Sequence, residues 1–124
     1  MDYPVITKLT AEQLQFFADV DQKVEQVLSA EFSNAHQHYS NFFYLTETID
    51  SVFGEGFLEA AQMVDYMKVQ TEADNLTHTV LVLLDYARTM GEASSVGRFM
   101  NYWTFYQNFR DYHFEELEAA VQGA

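Results

Sequence analysis

Hydrophobic residues recur along this chain at steps of three and four, the spacing that aligns side chains on one face of an α-helix. Leu14, Phe17, Val20, Val24, Val27 and Leu28 form the first such series. Ahead of it stands Thr10-Ala11-Glu12-Gln13, which reads as a capping box: the Thr hydroxyl and the Gln side chain each satisfy a free backbone N–H of the first turn. A second series follows, made by Phe32, Ala35, Tyr39, Phe42, Leu45, Ile49 and Val52. One continuous helix over residues 10–53 would measure about 65 Å, too long for a compact monomer of this size. Ser29, Ser33 and Asn34 are poor inside helices and good at their ends, so the pattern predicts a break there. Two helices result, over 10–28 and 33–53.

Gly54-Glu55-Gly56 is the clearest turn, because glycine takes the left-handed conformation that ends a helix. Phe57, Ala60, Ala61, Val64 and Met67 begin a third helix. Thr71-Glu72-Ala73-Asp74 reads as the cap of a fourth, which runs through Leu76, Val80, Leu83, Leu84, Ala87 and Met90 to Gly91. Ser94-Ser95 is placed as the N-cap of the last, which carries Val96, Phe99, Met100, Trp103, Tyr106, Phe109, Phe114, Leu117 and Val121. Two segments have some strand character: Asn101–Phe109 is rich in β-formers, and Val80–Leu84 has the length of a buried strand. Neither is flanked by a hairpin dipeptide, and two strands make a poor sheet. Residues 5–53 contain neither Gly nor Pro, which also argues against strands and turns. The predicted fold is all-α, a compact antiparallel bundle of four to five helices forming a single domain over residues 1–124.

Composition narrows the function classes. Apolar residues make up 48% of the 124 residues and charged ones 20%, which excludes low-hydrophobicity disorder. Nineteen acids against six Lys and Arg give a formal charge of −13. Electrostatic capture of DNA, RNA or anionic lipid is thereby excluded as the main activity. The absence of cysteine rules out disulfides, thiolate metal sites and Cys nucleophiles. Met1-Asp2-Tyr3-Pro4 lacks the basic and apolar regions of a signal peptide. The longest apolar run, Val80–Leu84, falls far short of the roughly 20 residues that cross a bilayer. A cytoplasmic protein with no membrane association is expected.

Catalytic signals are weak throughout. His38, His78 and His113 fall near the apolar stripes of their helices, and Glu31 and Asp74 precede the first two at helical spacing. Inward-pointing histidines and carboxylates build metal centres in helical bundles. Glu31, His38, Asp74, His78 and His113 are therefore the candidate ligands of an alternative, metal- or small-ligand-binding bundle. No paired Glu-x-x-His motif accompanies them, and half-buried histidines bonded to Tyr hydroxyls or backbone explain the pattern more simply. No serine sits in a nucleophile elbow, and the glycine pairs form no phosphate loop. Arg110 reads as a salt-bridged arginine on an acidic surface. No catalytic residue and no cofactor are expected.

Two features remain. Acids are spread over every helix, with the densest cluster at Glu115, Glu116 and Glu118. Carboxylates at three- or four-residue steps stand about 5–6 Å apart, a spacing suited to a cationic groove. The last helix is aromatic on more than one side. Phe99, Trp103, Tyr106 and His113 share one stripe, and Tyr102, Phe105, Phe109 and Tyr112 share another. A helix apolar on most sides is central to its bundle, lies at an oligomer interface or lines a pocket. The expected interface comprises Tyr102, Trp103, Phe105, Phe109 and Tyr112. The sequence thus points to a homodimeric, non-enzymatic binding protein whose partner is a basic, nucleic-acid-binding protein surface rather than nucleic acid itself.

Overall fold

The computed structural model describes residues 6–30, 42–64 and 76–121. Five helices pack against one another: α1 (Ala11–Ser29), α2 (Ile49–Phe53), α3 (Phe57–Gln62), α4 (Leu76–Gly91) and α5 (Val96–Ala119). Residues 42–46 add a further helical stretch. No strand occurs among the described residues; a lone parallel bridge pairs Leu9 with Val121. The fold is the all-α bundle that the periodicity predicts.

Helix α1 begins with the expected capping box. Thr10 accepts from the Gln13 N–H at 3.0 Å, and the Gln13 side chain accepts from the Thr10 N–H at 3.0 Å. The helix ends at Ser29, where Ala30 turns extended with φ −72° and ψ 147°. The predicted break is therefore present, and helix 10–28 does not run on into the next. Of the second predicted helix, 33–53, residues 33–41 lie outside the described residues; in the remainder, residues 47–48 form a turn between the stretch 42–46 and α2. There the Thr46 and Thr48 hydroxyls donate to the carbonyls of Phe43 and Leu45, each at 2.7 Å, and the Thr48 N–H also reaches the Leu45 carbonyl, at 3.1 Å.

Gly54 (φ 133°) and Gly56 (φ 92°) turn the chain from α2 into α3, in conformations that other residues resist. Asp50 secures the turn by accepting from the Leu58 N–H at 2.9 Å. Phe53 is the pin of this corner. Its ring lies 5.5 Å from Phe16, 5.7 Å from Phe17 and 6.1 Å from Phe57, which joins α1, α2 and α3 in one aromatic cluster. Each such ring pair contributes about 0.5–1.5 kcal/mol beyond its buried area. Helix α3 spans six residues, and the predicted continuation to Met67 lies outside the described residues, as does the cap at Thr71–Asp74.

The centre of the bundle is α4. Twelve of its 16 residues are buried, including the unbroken run Thr77–Asp85. Val80–Leu84 is neither a strand nor a one-sided helix; it is apolar all round because neighbours cover it all round. The aromatic last helix is one candidate for that central place on its side-chain pattern. Instead α5 packs along one side of α4, joined to it by a short loop whose Ser95 caps α5 by accepting from the Arg98 N–H at 3.2 Å. Phe99, Tyr106, His113 and Leu117 form the buried stripe of α5. At the far end, Leu9 N–H donates to the Ala120 carbonyl at 2.6 Å, which ties the start of α1 to the end of α5. The two helices consequently run antiparallel.

Candidate protein-binding face

The α1–α5 seam brings acids together from opposite ends of the chain. Asp21, half-buried on α1, receives the Arg110 guanidinium of α5 in an ion pair. Burial pushes the Asp21 carboxyl above its ordinary value, Arg110 pulls it back, and the carboxylates of Asp111 and Glu25 push it up again. Asp21 thus has one cation, Arg110, and two further acids acting on it. One Asp21 oxygen, Oδ1, is buried without a hydrogen-bond partner. The Tyr106 hydroxyl of α5 is likewise buried without a partner, its pKa raised well above the ordinary 10 by burial and by the Asp21 charge, with Arg110 opposing the rise.

Along the same seam runs a groove of about 390 Å³ lined by Ala11, Leu14, Gln15, Ala18, Arg110, Phe114, Glu118 and Val121. Its walls are mostly apolar, with Arg110 held 5.6 Å over the Phe114 ring and Glu118 at one edge. Glu115, Glu116 and Glu118 are all exposed on the last turns of α5, and no base shares that final turn. Carboxylates are unfavourable at a helix C-terminus, where the macrodipole is negative.

The wider surface is one-sided in charge. Among the described residues, Glu12, Glu25, Glu47, Asp50, Glu55, Glu59 and Glu92 are exposed, as are Asp111 and the three glutamates of α5; the exposed bases are Lys8 and Arg98. Arg88 is held by Asp85 at 2.8 Å and Glu92 at 2.7 Å. Burial raises the Asp85 carboxyl, and Arg88 opposes the rise.

Of the candidate metal ligands, Glu31, His38 and Asp74 lie outside the described residues. His78 is buried on α4 and His113 on α5. His113 Nδ1 lies 3.3 Å from Glu116 Oε2, and its ring packs against Phe109 and Tyr112 at 4.6 and 4.8 Å. No group of three His, Cys, Asp or Glu able to hold a metal occurs among the described residues.

The expected interface residues divide between two surroundings. Tyr102, Trp103 and Phe109 are half-buried and pack on the core. Phe105 and Tyr112 face solvent, 55% and 76% exposed. Arg110 is the salt-bridged arginine that the sequence suggests. Asp21, Glu25 and Asp111 were not singled out, because nothing within either helix reveals that they meet. The one local signal was an acid at position 21 wedged between Val20 and Val24 of an apolar stripe.

No protein-family model, curated protein or solved structure matches the chain. No helix among the described residues is long and apolar enough to cross a membrane.

Proposed function

We propose that this is a cytoplasmic, non-enzymatic binding protein whose α1–α5 face docks on a basic protein surface, such as that of a nucleic-acid-binding protein, and shields it. The observation that carries this proposal is the surplus of acid on this face: beside the Asp21–Arg110 pair, Asp111 and Glu25 act on the Asp21 carboxyl, and Glu115, Glu116 and Glu118 are exposed on the last turns of α5. Repulsion among those carboxylates destabilises the isolated fold, and an external cation relieves it. The neighbouring groove supports the same conclusion. Leu14, Ala18, Phe114 and Val121 suit the aliphatic stem of a Lys or Arg, and Glu118 suits its charged head.

The test is capture of an immobilised basic protein by the purified chain at low and high salt. A screened electrostatic complex weakens steeply as salt rises. The double variant Asp111→Asn, Glu118→Gln is expected to lose capture, while Glu55→Gln, Glu59→Gln removes the same charge from another face and retains it. Capture that ignores salt, or equal loss in both double variants, would overturn the proposal.

A further inference from the structure

Helix α5 presents a second stripe to solvent, away from its seam with α1. Arg98, Asn101, Phe105, Asn108, Tyr112 and Glu115 recur at alternating steps of three and four, and all six are exposed. That is the a/d spacing with which one helix lies along another. Phe105 is held in place, its ring stacked on Tyr86 of α4 at 6.1 Å and 17°.

Charge is what selects the occupant. Residues 99–109 contain no charged side chain, in a chain whose formal charge is −13. Two copies of so acidic a protein repel wherever carboxylates meet, and this strip lets them approach without doing so. Charge appears only at the two ends of the stripe, positive at Arg98 and negative at Glu115. A parallel pairing would set like on like. An antiparallel pairing sets Arg98 opposite the second copy's Glu115, and the same register places Asn101 opposite Tyr112 and Phe105 opposite Asn108. Two-fold symmetry forms every one of these pairs twice, so the stripe is complementary to itself. The two helix dipoles also oppose each other in that arrangement.

We infer that the protein binds a second copy of itself through this stripe, α5 antiparallel on α5, with Phe105 and Tyr112 as anchors and an Arg98–Glu115 ion pair at each end. Of the interface expected from sequence, Phe105 and Tyr112 serve this role; Tyr102, Trp103 and Phe109 pack behind them.

Sedimentation equilibrium of the full chain tests it. The wild type is expected to be dimeric, and Phe105→Glu monomeric with unchanged helical circular dichroism. Arg98→Glu and Glu115→Arg, both at exposed positions, are each expected to weaken the dimer about tenfold. Combined, they restore it, an outcome that a role in folding alone would not produce. A monomeric wild type overturns the inference. So does a dimer indifferent to Arg98→Glu, or a double swap that fails to recover. The capture experiment with Asp111 and Glu118 variants reads a different face, so either result can fail without the other.

Discussion

Arg110 of α5 donates to the carboxylate of Asp21 on α1 across 89 residues of sequence. The pair joins the first long helix to the last, and both its charges act on the buried Tyr106 hydroxyl. Its two members are unequal: the arginine compensates a half-buried carboxylate, whereas the aspartate is also pressed by the charges of Asp111 and Glu25.

That inequality is measurable. Arg110→Ala leaves the half-buried Asp21 uncompensated beside Asp111 and Glu25, and a loss of about 1–2 kcal/mol is expected. Asp21→Asn removes one of the repelling charges and is expected to cost less than half as much. Urea unfolding of the two variants decides the matter; equal losses would mean that the crowding of acids has no energetic consequence.

The pH dependence follows from Asp21 and Asp85, whose carboxyls are both raised above the ordinary 3.8, first of all by burial. A raised folded value means that the native state holds its protons more tightly than the unfolded chain does. Stability from these groups is then fully present below the ordinary carboxylate value and is lost as pH climbs through the folded one. Cooling the charge has the same sign, since acidification lowers a net −13. The melting temperature is expected to rise as pH falls through the raised folded values toward the ordinary 3.8, and to rise less in Asp21→Asn. A flat or falling profile over that window would contradict the burial of these carboxyls.

Gly91 closes α4 against residues 42–46. A Cβ there would stand 3.0 Å from the Phe43 backbone and 3.3 Å from Thr46 Oγ1. Alanine is the better helix former by about 1 kcal/mol, so an open site would gain from the exchange. Here the overpacking outweighs propensity, and Gly91→Ala is expected to destabilise by about 1–2 kcal/mol in chemical denaturation. Gly97, with nothing within 4 Å of its Cβ position, provides the control that should be neutral or stabilised.

Trp103 separates core from interface. Its ring stacks on the buried Tyr106 at 5.6 Å and 23°, on the inner side of α5. Trp103→Ala is expected to cost about 2–3 kcal/mol, below the range for a fully buried Trp, and to leave the association state unchanged. Analytical ultracentrifugation beside thermal melting checks both halves; dissociation without loss of stability would place Trp103 at the interface after all.

Much of this architecture was legible in local patterns. The Thr10–Gln13 box, the end at Ser29, the turn at Gly54–Gly56 and the Ser95 cap each depend on groups a few residues apart, so short stretches of sequence specify them. The turn at residues 47–48 was harder to see, since the apolar spacing runs through it unbroken from Phe42 and Leu45 to Ile49 and Val52. The choice of central helix was not local at all. Both α4 and α5 are rich in apolar residues, but α4 carries aliphatic side chains on every face, whereas α5 intersperses Asn, Thr and Gln among its aromatics.

Periodicity and capping, acting through the fixed pitch of the α-helix, determined from sequence alone that this chain is a helical bundle, and composition made it acidic. The tertiary structure decided which acids confront one another, which aromatics stay outside and which helix lies at the centre. Those outcomes depend on docking between segments from opposite ends of the chain, such as Arg110 with Asp21 and Leu9 with Ala120. Side-chain spacing along one helix carries no record of what another helix will bring to it.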